Sequence, residues 1–210
     1  MTAKALLTTY LDQCPLVAII RGVCPEEAAA IGDAVYDAGI RIIEVPLNSP
    51  DPLKSIETLA TRFGDRMLVG AGTVLSTEDV RKVKDAGGRI IVSPNTNVEV
   101  VAAAAGLGLV SSPGYFTPSE AFAALRAGAH ALKLFPAEAA SPAVLKAHLA
   151  VIPKDVPIII VGGVKAETMQ PWIDAGAAGF GLGSGLYKPG QSAAETLEKA
   201  RAYVAAVRRT

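Results

Sequence analysis

Only two cysteines, Cys14 and Cys24, occur in the 210 residues, and they form neither a CxxC pair nor a Cys/His cluster. No redox pair or zinc-type site is therefore expected from them. Histidine is as scarce. His130 and His148 stand alone, and no His/Asp/Glu spacing suggests a metal site, so surface or packing roles are expected for both. An excess of either charge is also missing, since Lys plus Arg and Asp plus Glu each number 20. The basic footprint of a nucleic-acid binder is absent, and a net charge of zero gives little protection against self-association. No apolar run reaches the length of a membrane span. The N-terminal "MTAKALLTTYLDQ" reads as a short amphipathic helix rather than a signal peptide. A cytoplasmic protein is expected, with no membrane or nucleic-acid partner.

What the chain does have is alternation. Half its residues are apolar and 19% are charged, as in a globular domain. Eight β-rich runs recur: "PLVAIIR" (15–21), "IRIIEVP" (40–46), "MLVGAGT" (67–73), "RIIVSP" (89–94), "LVSSPG" (109–114), "ALKLFP" (131–136), "PIIIVGG" (157–163) and "AGFGLGS" (178–184). Helical stretches such as "PEEAAAIGDAVYDAG", "STEDVRKVKDAGG", "TPSEAFAALRAGA" and "KAETMQPWIDAGA" lie between them. Several open on a capping residue and close on glycine, and Thr117 with Glu120 forms a capping box. Strict alternation means a parallel sheet. Eight units without a break favour a closed α/β (β/α)8 TIM barrel over an open doubly wound sheet. The expectation is one barrel domain over residues 1–210, with the extra N-terminal helix capping its bottom.

Catalytic groups of such a barrel stand at the C-terminal strand ends. Those ends carry Arg21, Glu44, Thr73, Pro94, Pro113, Lys133, Gly162 with Gly163, and Gly183 with Ser184. Strand alternation puts Ala131, Lys133 and Phe135 on one face, and Leu132 and Leu134 on the other. Helices cover the outside of a barrel, so the leucines belong there and Lys133 points inward. Ile42, Glu44 and Pro46 likewise share a face opposite Ile43 and Val45. Two readings follow. Lys133 and Glu44 form a buried ion pair, or Lys133 is a desolvated amine of lowered pKa that attacks a carbonyl, with Glu44 as its acid/base.

"IIIVGGV" and "GFGLGSG" are glycine-rich turns after the seventh and eighth strands. They serve either as tight turns or as an anion cradle of backbone N–H groups. Their place favours phosphate, the usual ligand of those loops. The spacing is not that of a Walker loop or a dinucleotide fingerprint, so no nucleotide cofactor is expected. Ser184 either binds phosphate or caps a helix, and Trp172 and Tyr187 read as packing residues.

From "AIIRGV" through "IEVPLNSP", "VGAGTV", "SPNTN", "ALKLFP" and "VGGV" to "GLGSGLY", nearly the whole chain resembles the KDPG/KHG class I aldolases. These cleave 2-dehydro-3-deoxy-6-phospho sugar acids to pyruvate and glyceraldehyde 3-phosphate. The resemblance implies that Lys133 is the Schiff-base lysine and Glu44 the general acid/base. It implies that Arg21 and Thr73 bind the pyruvate part, and that Gly163, Gly183 and Ser184 hold the phosphate. Pro94, Phe135 and Gly162 complete the expected substrate contacts. Gluconate-type members read "EVTLRT" and "PTGGI" where this chain has "EVPLNSP" and "VGGV". Asn48 and Val161 thus stand where that type has arginine and threonine, as in galactonate-type members. The resemblance implies a 6-phosphogalactonate substrate, with its C4 epimer or a non-catalytic sugar-phosphate barrel as alternatives, and a homotrimer that needs no metal.

Overall fold

The strands form where the apolar runs predict them, but each is shorter, and the fifth is broken in two. In the computed structural model, which describes residues 1–207, the strands are β1 (Leu16–Ile19), β2 (Ile42–Pro46), β3 (Leu68–Gly72), β4 (Ile90–Val92), β5 (Val110–Ser112), β6 (Gly114–Tyr115), β7 (Leu132–Leu134), β8 (Ile158–Val161) and β9 (Gly179–Leu182). The nine-for-eight count is a correction with a simple cause. Pro113 has no N–H and cannot donate to a ladder, so "LVSSPG" becomes β5 and β6.

All pairings are parallel, in the order β5-β4-β3-β2-β1-β9-β8-β7-β6. The two edges of this sheet, β5 and β6, are consecutive in the chain. The break also leaves the seam hydrogen-bonded. His130 and Ala131 N–H both donate to Ser111 O (2.9 and 3.2 Å), and Lys133 N–H donates to Pro113 O (2.9 Å). The sheet therefore closes on itself as an eight-position (β/α)8 barrel, with β5 and β6 sharing the fifth position.

Helix α1 (Ala3–Gln13) precedes the barrel, and helices α2 (Pro25–Ala38), α3 (Pro52–Phe63), α4 (Thr77–Asp85), α5 (Val98–Gly106), α6 (Pro118–Arg126), α7 (Pro142–Leu149), α8 (Gln170–Asp174) and α9 (Ala193–Val207) cover its outside. Side-chain oxygens of Thr2, Ser76, Asn97, Thr117 and Ser141 cap the starts of α1, α4, α5, α6 and α7. The box at Thr117 is present, with Glu120 Oε2 accepting from Thr117 N at 2.8 Å. "KAETMQPWIDAGA" does not make one helix. It yields a 3-10 turn, Ala166–Thr168, and then the short α8 with Pro171 in its first turn, where a missing N–H costs least.

The apolar residues sort into two layers. Ile43, Val45, Leu132 and Leu134 join the layer between strands and helices. Ile42, Leu68, Ile90, Val110, Ala131 and Ile159 fill the barrel interior together with Leu7, Tyr10 and Leu11 of α1. The N-terminal helix thus plugs one end of the barrel, and its Tyr10 hydroxyl donates to Asp65 O at 2.7 Å. Among the described residues, no helix is long and apolar enough to cross a membrane.

Candidate active site

Barrel geometry brings Glu44 and Lys133 together across the lumen. Glu44 lies on the second strand position and Lys133, on β7, at the sixth. In a closed ring of eight these positions are opposite, so two inward side chains meet in the middle. Both are buried, Glu44 at 2% exposure and Lys133 at 7%. They do not form the buried ion pair that the sequence left open: among the described residues no salt bridge or hydrogen bond joins them, and Glu44 Oε2 has no partner. The ammonium instead stands 4.7 Å from the ring centroid of Phe135, a cation–π distance.

Beneath the pair the interior is apolar. Leu7, Leu11, Val17, Ile90, Val92 and Ile159 surround a void of about 20 Å³ that Lys133 and Glu44 also border. Dry walls make charge expensive on either group. Burial raises Glu44 from its ordinary 4.5 to about 7, although the charges of Lys133 and Arg21 pull the other way. Burial also lowers Lys133 from 10.5. The Glu44 carboxylate opposes that shift and the Arg21 charge adds to it. An acid pushed up to about 7 and an amine pushed down, on opposite sides of one lumen, suit proton transfer.

Glu44 fits only because β3 ends on glycine. A Cβ on Gly72 would stand 1.9 Å from Glu44 Oε2, so any side chain there would evict the carboxylate. The next residue, Thr73, has φ 55°, a left-handed backbone that a β-branched residue adopts only under constraint. It presents its hydroxyl to Arg21, whose two terminal nitrogens each lie 3.5 Å from Thr73 Oγ1. Arg21 Nη1 also donates to Asn48 Oδ1.

Above Lys133 the barrel opens into a cleft of about 350 Å³, within the range of small-ligand sites. It is lined by Arg21, Thr73, Pro94, Lys133, Phe135, Val161, Gly162, Gly163, Gly183 and Ser184. All were expected from the sequence. Glu44 borders the chamber below, and Lys133 borders both spaces. Asn48 lines neither and, among the described residues, reaches the site through Arg21. Gly162 and Gly163 have φ 114° and 62°, where glycine is favoured.

Glu138, Lys188 and Pro189 also line the cleft but carried no sequence signal, because they sit in loops beyond the strand ends. Tyr187, read as packing, is fully buried, yet it also borders the cleft and donates to Glu27 Oε2 at 3.3 Å. His130 and His148 lie outside the site. His130 Nδ1 accepts from Ser111 N–H at 3.1 Å, and His148, buried beside Tyr115, has its Nδ1 3.3 Å from that hydroxyl. Among the described residues no cluster of His, Cys, Asp or Glu is placed to hold a metal ion.

The chain is similar to known proteins over nearly its whole length. A family model described as "Aldolase: KDPG and KHG aldolase" matches residues 7–202. The chain is 49% identical over 199 residues to the 2-dehydro-3-deoxy-6-phosphogalactonate aldolase of Escherichia coli (strain K12), covering 95% of this chain and 97% of that protein. It is 48% identical over 192 residues to the probable 2-dehydro-3-deoxy-6-phosphogalactonate aldolase of Rhizobium meliloti (strain 1021), covering 91% of each. A solved structure described as "Native KDPGal structure" superposes with a TM-score of 0.92 at 48% identity, over 94% of this chain and 96% of that one.

Proposed function

Since the chain belongs to the KDPG and KHG aldolase family, we propose that this lyase cleaves 2-dehydro-3-deoxy-6-phospho-D-galactonate to pyruvate and D-glyceraldehyde 3-phosphate through an imine on Lys133. The observation that carries this reading is the opposed pair: a buried amine with lowered pKa facing a buried carboxyl raised to about 7, at the floor of an open cleft.

Neutral Lys133 attacks the C2 ketone, and Glu44 in its acid form supplies the proton with which the C2 oxygen leaves as water. The iminium that results is an electron sink. Glu44, now a carboxylate, takes the proton of the C4 hydroxyl, directly or through one water. The C3–C4 bond breaks, its electrons form the enamine of pyruvate, and the aldehyde leaves. Protonation at C3 and hydrolysis of the imine then release pyruvate and restore the amine. Arg21 offers a planar fork to the substrate carboxylate, and Thr73 stands beside it. Asn48 belongs to this end, as a brace on the guanidinium. The phosphate lies against Gly162, Gly163, Gly183 and Ser184, which follow β8 and β9 as the fold's phosphate sites do. Val161 is buried and apolar where it borders the cleft, and it offers no hydroxyl to the substrate's C4 oxygen. Discrimination between the C4 epimers is accordingly incomplete.

Borohydride added with pyruvate tests the chemistry. A permanent adduct of pyruvate mass on Lys133 is expected, and its absence with activity retained sinks the imine route. Cleavage rates on the two phosphorylated epimers, measured side by side, test the substrate. A strong preference for the gluconate form would overturn the assignment. The working unit is proposed to be a homotrimer. Of the large apolar side chains exposed among the described residues, Leu75, Val98 and Phe116 follow neighbouring strand positions at the site end of the barrel.

A further inference from the structure

Two glycine turns face the cleft, and they differ in what covers them. At Gly183 an added Cβ would meet nothing within 4 Å. At Gly162 it would meet Glu138 Oε2 at 2.1 Å, and at Gly163 it would meet Glu138 Cγ at 2.6 Å. The Glu138 side chain therefore lies flat over the Gly162–Gly163 backbone, the surface against which a phosphate would rest. Glu138 stands in the 3-10 turn Ala137–Ala139, a few residues past Lys133 on the same connection. Its side chain is exposed, and among the described residues no hydrogen bond or ion pair holds its carboxylate. The other charged side chains lining the cleft, Arg21, Lys133 and Lys188, are cations. One anionic group therefore stands where an anionic substrate must bind.

We propose that Glu138 is a repulsive cover on the phosphate end, a carboxylate that lies over the Gly162–Gly163 turn and must swing aside for a phosphorylated substrate to seat. The inference rests on the aldolase reading for the nature of the ligand, and on the covered turn for the residue. Like charges a few ångström apart repel even in water, so the carboxylate taxes every phosphate that enters. An exposed, unbraced side chain changes rotamer quickly, so the motion itself is no barrier. The same repulsion works in the forward direction of cleavage, because a returning carboxylate displaces the phosphorylated aldehyde.

The test uses the full chain with Glu138→Gln and Glu138→Ala, and inorganic phosphate and glycerol 3-phosphate as probes. Both variants are expected to bind these anions roughly three- to tenfold more tightly than the parent at low ionic strength, the gain shrinking in about 1 M salt as screening removes the repulsion. Unchanged affinity, or weaker binding as for a lost ligand contact, overturns the proposal. Borohydride trapping of pyruvate in the same proteins separates the two readings. Failure to trap at Lys133 sinks the imine route while the anion affinities still decide the role of Glu138. Successful trapping with equal anion affinities sinks Glu138 alone.

Discussion

Glu44 holds its carboxyl where a charge is expensive, and the cost has a sign that can be measured. Its ordinary pKa of 4.5 becomes about 7 in the folded protein. Between those values the folded chain holds a proton that the unfolded chain has lost, so stability falls as pH rises through the window. The loss amounts to roughly 3 kcal/mol at 1.36 kcal/mol per unit. Glu44→Gln, neutral at every pH, should escape it. Urea denaturation at pH 4 and pH 8 is expected to show the variant gaining on the parent by a few kcal/mol toward the alkaline side. The same variant should lose roughly 10²–10⁴-fold in turnover if Glu44 is the proton carrier. Lys133 works in the opposite sense. Its lowered pKa means that between its folded value and 10.5 the unfolded chain holds a proton the folded chain lacks, so its contribution grows as pH rises through that window. The inward placement of Glu44 and Lys133 was legible in strand alternation alone. Their failure to pair was not, because it depends on the width of the closed barrel and on Gly72 leaving room for the carboxylate on its own side.

The N-terminal helix shows how an element without any reacting group can set the chemistry. Leu7 and Leu11 of α1 border the chamber under Lys133 and Glu44 and are buried there. They make the floor of the site apolar, and burial is the first cause of both pKa shifts. Leu7→Ala is expected to cost roughly 2–5 kcal/mol of stability. It should also admit water below Lys133 and move the pH midpoint of pyruvate trapping upward, toward an ordinary lysine. A midpoint unmoved in a variant that still folds would show that the floor does not tune the amine. Alternation and capping residues located the elements well, because each rests on interactions within a few residues. The break at Pro113 and the short α8 were missed for a shared reason: a proline's effect depends on which neighbouring segment needed its N–H.

At the scale of the whole molecule, the proposed trimer requires a contact face. Among the described residues, three of the five exposed large apolar side chains, Leu75 (52%), Val98 (47%) and Phe116 (37%), follow neighbouring strand positions, Leu75 and Phe116 in the loops after β3 and β6 and Val98 as the first residue of α5. Scattered exposed apolar residues need no explanation, but a cluster does. Light scattering is expected to give the mass of a trimer for the parent chain and of a monomer for Leu75→Glu combined with Phe116→Glu. A parent that runs as a monomer removes the trimer, and a double variant that stays trimeric moves the contact elsewhere.

The alternation of strands and helices, the inward faces of Glu44 and Lys133, and the glycine turns after the last two strands are all legible in the amino-acid order. Each of these is periodic or local, and so is written in consecutive residues. Closure of the barrel is what brings the amine and the carboxyl to face each other across the lumen without pairing. It also sets a helix from the start of the chain beneath them, Asn48 against Arg21, and Glu138 over one of the two glycine turns. Those relations join residues far apart in the chain, and they exist only once the sheet has closed.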